Sequence, residues 1–283
     1  MAELNWEQTV LWLRHQPDQQ ELVKNCYYDD PLIEAARRYA DSEEWQAVRS
    51  LLPARHGRAL DIGAGRGISS FALARDGWQV TALEPDSSDI VGCGALRMLA
   101  QASRYPIDII QEMGENLPCG ADTFDLVFCR EVLHHAQDIR KLCQQIYRVL
   151  KRGGRLVAIR EHVISQPQDL TVFLTQHALH RFYGGENAYM LEEYLDVMQA
   201  AGLKVTRVIA PLQSEVNFFP FTNARRLETL RAPLQRRLGK RLAVWLTAEN
   251  TPWGNFLLNR LALYFSARDH TPGRLYSFVA EKK

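Results

Sequence analysis

Three glycines and one aspartate form the most informative group of residues in this chain. The segment Ala59–Gly67 runs from apolar residues into Asp61 and then into Gly63, Gly65 and Gly67 at alternate positions. Such a run is typical of a buried parallel strand that ends in a tight turn before a helix. Glycine suits the turn because a Cβ would block both the positive-φ conformations and the close approach of a ligand. The segment therefore predicts a loop that binds a cofactor against bare backbone.

The aspartate that opens the turn indicates which class of cofactor the loop accepts. A carboxylate here would repel a pyrophosphate, whereas S-adenosylmethionine (SAM) has no phosphate and carries a positive sulfonium and a positive ammonium group. The spacing agrees, because the dinucleotide fingerprint needs a third glycine five positions after the first, and that position is Ile68. The loop therefore predicts SAM as the cofactor, with S-adenosylhomocysteine as its product.

Two carboxylates flank the predicted loop. Glu84 ends the second predicted strand, where a carboxylate can accept hydrogen bonds from both ribose hydroxyls of a nucleoside. Dinucleotide enzymes use the same contact, so Glu84 alone does not separate the two cofactor classes. An unpaired Asp61 at the end of a buried strand would be costly, so we expect this residue to serve the cofactor site.

Length and composition are those of an ordinary globular protein. The 283 residues suffice for one α/β unit with an added module, 46% of them are hydrophobic, and the formal net charge is +1. This balance argues against a nucleic-acid-binding or disordered chain. The five cysteines show no paired CxxC spacing, which favours the reducing cytoplasm over a disulfide framework or a zinc site. No signal peptide or membrane span is predicted.

The periodicity of the apolar residues predicts an α/β fold. Strand-like runs occupy Ala59–Ile62, Gln79–Leu83, Ile107–Ile110, Phe124–Cys129 and Leu156–Arg160, and later Leu203–Val208 and Leu275–Ala280. Helical patterns occupy Ser69–Ala74, Ser88–Ser103, Ile139–Leu150 and Leu191–Ala201. This alternation indicates right-handed crossovers and a doubly wound, mostly parallel sheet. A turn at Lys151–Gly154 is expected to cap the third of these helices.

We divide the chain into three parts. Residues 1–55 are predicted to form a helical N-terminal cap, and residues 56–210 a cofactor-binding domain with a lid insertion at about 161–190. A long insertion at the carboxyl edge of a parallel sheet is where a substrate lid belongs. Residues 211–283 are predicted to form a helical C-terminal extension that ends in a returning strand.

The C-terminal extension contains a basic segment. Residues 224–241 include seven lysines and arginines but a single acid, Glu228, and an apolar region with two tryptophans follows, up to residue 265. A solvated helical face accounts for such a segment. An interfacial helix over 224–265 that contacts a membrane or a lipid-linked substrate accounts for it as well.

Several short motifs in a fixed order carry a family resemblance. They are Leu60–Gly67, Leu83–Asp86, Gly114–Pro118, Phe124–Val127, Val132–His135 and Arg148–Gly154. With these motifs the chain resembles the class I SAM-dependent methyltransferases, in the broad group that methylates small molecules. The resemblance covers roughly residues 57–161 and extends more weakly to about 208. It implies a seven-stranded Rossmann-like sheet and a methyl transfer reaction.

The resemblance also implies a set of cofactor-binding residues. They are Asp61, Gly63, Gly65, Gly67, Glu84, Pro85, Met113, Gly114, Glu115 and Arg130. The family usually places an aspartate where this chain has Met113, so we expect apolar contact with Met113 and backbone groups of Gly114 and Glu115 to recognise the adenine. Arg130 could pair with the carboxylate of the cofactor, or with Glu131 or Glu161.

Methyl transfer requires alignment of the acceptor and, for a hydroxyl or a protonated amine, removal of a proton. The candidate general bases are His135, Glu161 and His162, which follow the fourth and fifth strands. The candidate substrate contacts are His134, His177, His180, Tyr183 and Glu186. His177 and His180 are three apart in a predicted helix and would share a face, so with Glu161 or His162 they could ligate a metal in principle, but spacing fixes no third or fourth ligand and no metal is predicted.

The sequence thus predicts a methyltransferase that acts on an oxygen or nitrogen of a small-molecule or saccharide-type metabolite. Two alternatives stay open. A non-catalytic SAM-binding regulatory protein is compatible with Met113 at the expected acid position, and an NAD-dependent oxidoreductase would share Glu84 but lacks the third glycine. No nucleic-acid partner is predicted, because no recognition module is evident.

Overall fold

A computed structural model describes residues 4–177, 179–180, 185–218 and 220–283, with one β-sheet at the centre. The strands are β1 (Arg58–Ile62), β2 (Gln79–Leu83), β3 (Ile107–Ile110), β4 (Phe124–Arg130), β5 (Leu150–Ile164), β6 (Tyr189–Met190), β7 (Leu203–Ile209) and β8 (Arg274–Lys282). The order is β3-β2-β1-β4-β5-β8-β7, and the short β6 pairs with β5. Strands β1 to β5 pair in parallel, and β8 runs antiparallel to β5 and β7. The predicted doubly wound, mostly parallel sheet is confirmed.

Helices cover both faces of this sheet. They are α1 (Trp6–Arg14), α2 (Gln20–Asn25), α3 (Leu32–Ala40), α4 (Glu43–Arg49), α5 (Ile68–Arg75), α6 (Cys93–Ser103), α7 (Ile139–Val149), α8 (Asp169–Gln176), α9 (Leu191–Ala200), α10 (Asn223–Leu238), α11 (Lys240–Leu246) and α12 (Pro252–Ser266). Short 3-10 turns lie at Pro17–Gln19, Gly114–Asn116, Leu133–His135 and Glu215–Asn217. In the described part of the chain, none of these helices combines the length and apolarity needed to cross a bilayer.

Large apolar side chains fill the space between the sheet and each helix layer. On one face Trp45 of α4 packs edge-on against Phe128 of β4, with 5.9 Å between ring centroids. On the other face Tyr194 of α9 packs against Phe278 of β8 at 5.2 Å. Because both faces are buried, the central strands are apolar along most of their length. Polar groups therefore gather at the strand ends.

Helix α6 begins five residues later than predicted, at Cys93 instead of Ser88. The Ser88 hydroxyl accepts hydrogen bonds from the backbone N–H groups of Ile90 and Val91, and the Asp86 carboxylate accepts one from the N–H of Ser88. Such local bonds from side chain to backbone compete with helical ones, so residues 88–92 form a turn.

Strand β5 is longer than predicted at both ends. It begins at Leu150, so Lys151–Gly154 belong to the strand and not to a helix-capping turn. The Lys151 ammonium donates to both carboxylate oxygens of Asp125 at 2.8 Å, which holds this segment against β4. At its other end β5 continues to Ile164, so the first residues of the predicted lid are strand.

A bulge in β5 changes the direction of the side chains that follow it. The register between β5 and β8 shifts between Ala158 and Glu161, and Arg160 has a positive φ of 63°. A bulge adds a residue to one strand and breaks the regular alternation of its side chains. Consequently Glu161 and His162, although adjacent, both contact His134.

Candidate functional site

A cavity of about 420 Å³ lies at the carboxyl ends of β1, β2 and β4. The loop after β1 forms one wall, and His135 and Glu186 contribute to another. Trp6, Tyr27 and Tyr28 of the N-terminal cap also line it. The volume lies in the range of small-molecule sites, and the carboxyl edge of a parallel sheet is the usual place for one.

The glycine loop presents backbone to this cavity. Gly63 and Gly65 line it with positive φ values of 64° and 52°. A Cβ on Gly65 would meet no atom closer than the Val91 carbonyl oxygen at 3.8 Å, so the space beside it is open to a ligand. Gly67 does not line the cavity, because it starts α5 and a Cβ there would lie 2.2 Å from Leu96. The structure gives Gly67 a packing role, and its predicted contact with the cofactor stays a prediction.

Glu84 faces the cavity from the end of β2. Its carboxylate accepts hydrogen bonds from the backbone N–H groups of Gly65 at 2.7 Å and Asp86 at 2.9 Å, which fixes its orientation. Each oxygen keeps lone-pair capacity for a further donor, such as a ribose hydroxyl. Burial raises the pKa of Glu84, although the two backbone hydrogen bonds oppose that shift.

Asp61 lies beneath the loop and does not line the cavity, contrary to prediction. Its carboxylate accepts a hydrogen bond of 2.6 Å from the Ser70 hydroxyl, in the first turns of α5. Burial raises the pKa of Asp61 to about 7. Asp61 thereby connects the start of α5 to the end of β1 and stabilises the loop between them.

The charges around the cavity favour a cationic ligand. Its described lining includes the carboxylates of Glu84, Asp86, Glu115, Glu131 and Glu186 and the guanidinium groups of Arg66 and Arg130. Arg66 is bound by the cap, because it donates to the Tyr27 carbonyl oxygen at 2.8 Å and forms an ion pair with Asp30. The excess of carboxylates disfavours a diphosphate and suits the sulfonium and ammonium groups of SAM.

Arg130 forms ion pairs within the protein. Its Nε donates to Glu44 at 2.8 Å, its Nη1 donates to Glu131 at 3.1 Å, and its guanidinium lies 5.4 Å from the centre of the Tyr39 ring. Of the pairings that the sequence left open, the one with Glu131 is present. No sequence signal pointed to Glu44, which lies 86 residues away in the chain.

Glu131 belongs to the site although the sequence did not single it out as a site residue. Its carboxylate forms an ion pair with Arg160, whose Nε lies at 2.6 Å, and a second ion pair with Arg130. Burial alone would raise the pKa of Glu131, but these two guanidinium groups lower it well below its usual range. Glu131 therefore stays ionised at the cavity wall.

The region expected to hold the adenine is apolar. Pro85, Met113 and Gly114, three of the predicted cofactor-binding residues, line the cavity. The Glu115 carboxylate accepts the N–H groups of Gln137 at 2.8 Å and Asp138 at 3.3 Å, so its side chain anchors the segment before α7. Only the backbone of Glu115 is left to contact an adenine base.

Glu161 does not act from the cavity. Its side chain is 0% exposed, and its carboxylate accepts hydrogen bonds from the backbone N–H groups of Val132, Leu133 and His134 and from Nδ1 of His134. The structure therefore supports an anchoring role for Glu161 instead of the predicted role of general base, because Glu161 does not line the cavity. The residue anchors the turn that carries His134 and His135.

His162, another candidate base, does not line the cavity, so its role as a base stays a prediction. Its Nδ1 donates to the Gly273 carbonyl oxygen at 2.8 Å, and its ring packs between those of His134 and Phe173 at 4.7 Å. Burial, with a smaller contribution from His134, lowers the pKa of His162 to about 4.

The predicted substrate contacts divide into two groups. Glu186 lines the cavity, whereas His134, His177 and His180 do not. His134 is 1% exposed; burial would lower its pKa, but Glu161 and Glu186 raise it to about 9. The N–H of His180 contacts Nδ1 of His177 at 3.3 Å. Tyr183 lies outside the described residues.

Of the three candidate bases, His135 is the one that lines the cavity. Its Nδ1 lies 3.0 Å from the Gly185 carbonyl oxygen, to which it can donate, and its Nε2 lies 3.8 Å from the Glu186 carboxylate. These contacts orient the ring at the cavity wall.

Residues 60–158 match the family described as "Methyltransferase domain". Among curated proteins, the ubiquinone biosynthesis O-methyltransferase of Rhizobium etli (strain CIAT 652) is 28% identical over 153 residues, which are 53% of this chain and 60% of that protein. The chain therefore spans less than two thirds of this relative's length.

Solved structures show the same fold. Geranyl diphosphate C-methyltransferase from Streptomyces coelicolor A3(2), in complex with Mg2+, geranyl diphosphate and S-adenosyl-L-homocysteine, aligns with a TM-score of 0.59 and 13% identity over 90% of this chain and 85% of that one. The [4+2]-cyclase SpnF aligns with a TM-score of 0.54 and 19% identity over 88% of this chain and 80% of that one.

Proposed function

We propose that this chain, which belongs to the class I SAM-dependent methyltransferases, transfers a methyl group to an oxygen or nitrogen of a small molecule. When bound, SAM supplies the activated methyl group. The carboxylate-lined cavity beside the glycine loop carries this proposal, because its charge suits a sulfonium donor. A hydroxyl acceptor is favoured because the curated relative is named as an O-methyltransferase, and a saccharide-type metabolite stays one candidate for it.

Each part of the cavity has a role in this proposal. The backbone of Gly63 and Gly65 lies against the amino-acid part of the cofactor, and Glu84 accepts hydrogen bonds from the ribose hydroxyls. Met113 and Gly114 contact the adenine. The ionised Glu131 faces the cationic end of the donor.

His135 is the proposed contact to the acceptor group. It lines the cavity, and the Gly185 carbonyl oxygen holds its ring through Nδ1. Nε2 is left to face the acceptor, so His135 remains the candidate general base on geometry alone.

Isothermal titration with S-adenosylhomocysteine tests the cofactor site. We expect micromolar binding, which Glu84→Ala should weaken about 10- to 100-fold, because a hydrogen bond to a charged group contributes about 1.5–3 kcal/mol. Glu34→Ala, at an exposed position of α3, is the matched control and should bind like the parent. Absence of binding, or tight binding of NADH instead, would contradict the proposal.

Methyl transfer itself needs a separate assay, because the fold does not determine the reaction. The similarity to a [4+2]-cyclase makes this point directly. Labelled SAM with a panel of phenolic and saccharide acceptors should give labelled product, and His135→Ala should reduce kcat/KM more than it reduces cofactor affinity. Binding of SAM without turnover in any cell extract would favour the regulatory alternative.

We further propose that α11 and α12 contact an anionic membrane surface. Trp245 of α11 is 72% exposed, and Trp253 and Phe256 of α12 are 64% and 56% exposed. On α12, Trp253, Phe256 and Leu263 recur at helical spacing, which places them along one side. Exposed aromatic residues of this kind insert into the interface between lipid headgroups and acyl chains.

Nearby charges complement such a surface. Arg225, Arg236, Arg237, Lys240 and Arg241 are exposed, whereas the exposed acid among residues 224–241 is Glu228. Basic residues beside an apolar face attract anionic lipids, at about 1 kcal/mol for each residue near the surface.

Sedimentation with phosphatidylglycerol-containing vesicles tests the membrane proposal. Binding should occur at low salt, weaken with added salt, and fall in the double variant Trp245→Ala/Trp253→Ala. Trp12→Ala is the matched control, because Trp12 is also exposed but lies on α1. No binding at low salt, or equal binding by the double variant, would remove the proposal.

We keep the cytoplasm as the proposed location. All five cysteines are free in the structure, which suits a reducing compartment.

A further inference from the structure

Behind the cavity wall, three ligating side chains converge from different parts of the chain. They are His134 after β4, His162 in β5 and Glu186 before β6. One ligand atom from each lies within 4.8 Å of the other two. The side chains of His134 and Glu186 are 1% and 7% exposed, so the cluster is shielded from bulk solvent.

The outer nitrogens of both histidines are already occupied. Nδ1 of His134 is 2.7 Å from the buried Glu161 carboxylate, and Nδ1 of His162 is 2.8 Å from the Gly273 carbonyl oxygen. These acceptors hold a proton on Nδ1 of each ring, which leaves Nε2 as the inward ligand atom, and an ion that binds His134 would displace the proton that its Nε2 carries in the metal-free protein. Metal-ligating histidines are held in this way in proteins.

One inner nitrogen of the cluster lacks a hydrogen bond. Nε2 of His134 is buried without a hydrogen-bond partner among the described residues, and it lies 3.7 Å from Glu186 Oε2. A buried polar atom without a partner is costly, and a bound ion would satisfy it. Two more imidazoles lie near the same carboxylate, with Nε2 of His135 at 3.8 Å and Nδ1 of His177 at 3.9 Å.

We propose that His134, His162 and Glu186 bind a divalent first-row transition metal ion, of the class of Zn²⁺ or Co²⁺. Imidazole nitrogen with one carboxylate is a donor set that these ions accept, while Mg²⁺ and Ca²⁺ require mainly oxygen. The site revises the expectation that no metal is bound. The sequence suggested His177 and His180 with Glu161 or His162, and missed the combination with His134 and Glu186 because the members of the cluster come from three separate segments.

Glu186 and His135 connect this ion to the cavity, since both line it. Bound there, the ion would lie at the wall where the acceptor is proposed to sit, and it could coordinate a hydroxyl and lower the pKa of that group. This role toward the acceptor rests on the proposed function. Binding of the ion does not.

Metal binding is measured directly on the full chain. After dialysis against a chelator, the protein is titrated with Zn²⁺, and Co²⁺ binding is followed by visible d–d absorption. We expect one ion per chain and a tetrahedral or five-coordinate Co²⁺ spectrum. Both signals should be lost in His162→Ala and in Glu186→Gln and retained in His56→Ala, which changes an exposed histidine before β1.

Binding of S-adenosylhomocysteine is measured on the same samples. His162 does not line the cavity, so His162→Ala should keep this binding and thereby report that it is folded. Failure of both the parent and His56→Ala to bind an ion, or equal binding by all variants, would overturn the inference and leave the cofactor site standing. In that case Nε2 of His134 carries a proton and coordinates no ion. A chain that binds Co²⁺ but no S-adenosylhomocysteine would instead refute the proposed function.

Discussion

Replacement of Glu161 with glutamine tests whether this buried carboxylate is a structural anchor or a base. In the structure one oxygen accepts the N–H groups of Val132 and Leu133, at 3.2 and 3.1 Å. The other accepts the backbone N–H of His134 at 3.1 Å and its Nδ1 at 2.7 Å. A glutamine has the same shape but only one accepting oxygen, and its NH2 group must face donors.

The cost follows from counting those donors. In the better orientation, the glutamine oxygen keeps the N–H groups of Val132 and Leu133, and its NH2 group takes the place of the other oxygen. There the NH2 group can donate to Nδ1 of a neutral His134 ring, but the backbone N–H of His134 loses its acceptor. An unsatisfied buried donor costs about 1–3 kcal/mol, and a hydrogen bond to a charged group contributes about 1.5–3 kcal/mol. We therefore expect Glu161→Gln to lower the free energy of unfolding by about 2–4 kcal/mol, and Tm by roughly 4–15 °C.

Thermal unfolding followed by circular dichroism measures this loss. Glu228→Gln is the control, because Glu228 is exposed and such a change is expected to stay within about 0.5 kcal/mol. If Glu161→Gln unfolds at the parent's temperature but no longer transfers methyl groups, the residue is a base and the anchoring argument is refuted.

Two further substitutions test the loop after β1. Asp61→Asn should stabilise the protein at pH 8 by up to about 4 kcal/mol and have little effect near pH 4, because burial raises the pKa of Asp61 from 3.8 to about 7. The native state then holds the proton more tightly than the unfolded state, so this contribution to stability is complete below pH 4 and is lost as the pH rises through 7. A stability difference between the variant and the parent that does not change between pH 4 and 8, measured by urea unfolding, would contradict this prediction. Gly67→Ala should cost about 1–3 kcal/mol more than Gly65→Ala, because both residues have positive φ but only at Gly67 would the new Cβ meet a close neighbour, Leu96 at 2.2 Å; equal costs in the same assay would show that packing is not the reason.

Local patterns in the sequence were sufficient to predict the order and type of the central strands and helices. Strands β2 and β3 have the predicted bounds, and the loop with Gly63 and Gly65 lies at the cavity as predicted. These features are local, because apolar periodicity and glycine spacing express the conformation of neighbouring residues. The cofactor class followed from the same local pattern.

The roles of the buried charged side chains depend on contacts that form only in the folded chain. Glu161 meets His134 across 27 residues, and Arg130 meets Glu44 across 86, so no spacing rule relates them. The bulge at Arg160 turned both Glu161 and His162 toward His134 and away from the cavity. A side chain's role depends on which groups surround it in the fold, and that arrangement brought His134, His162 and Glu186 together from three separate segments.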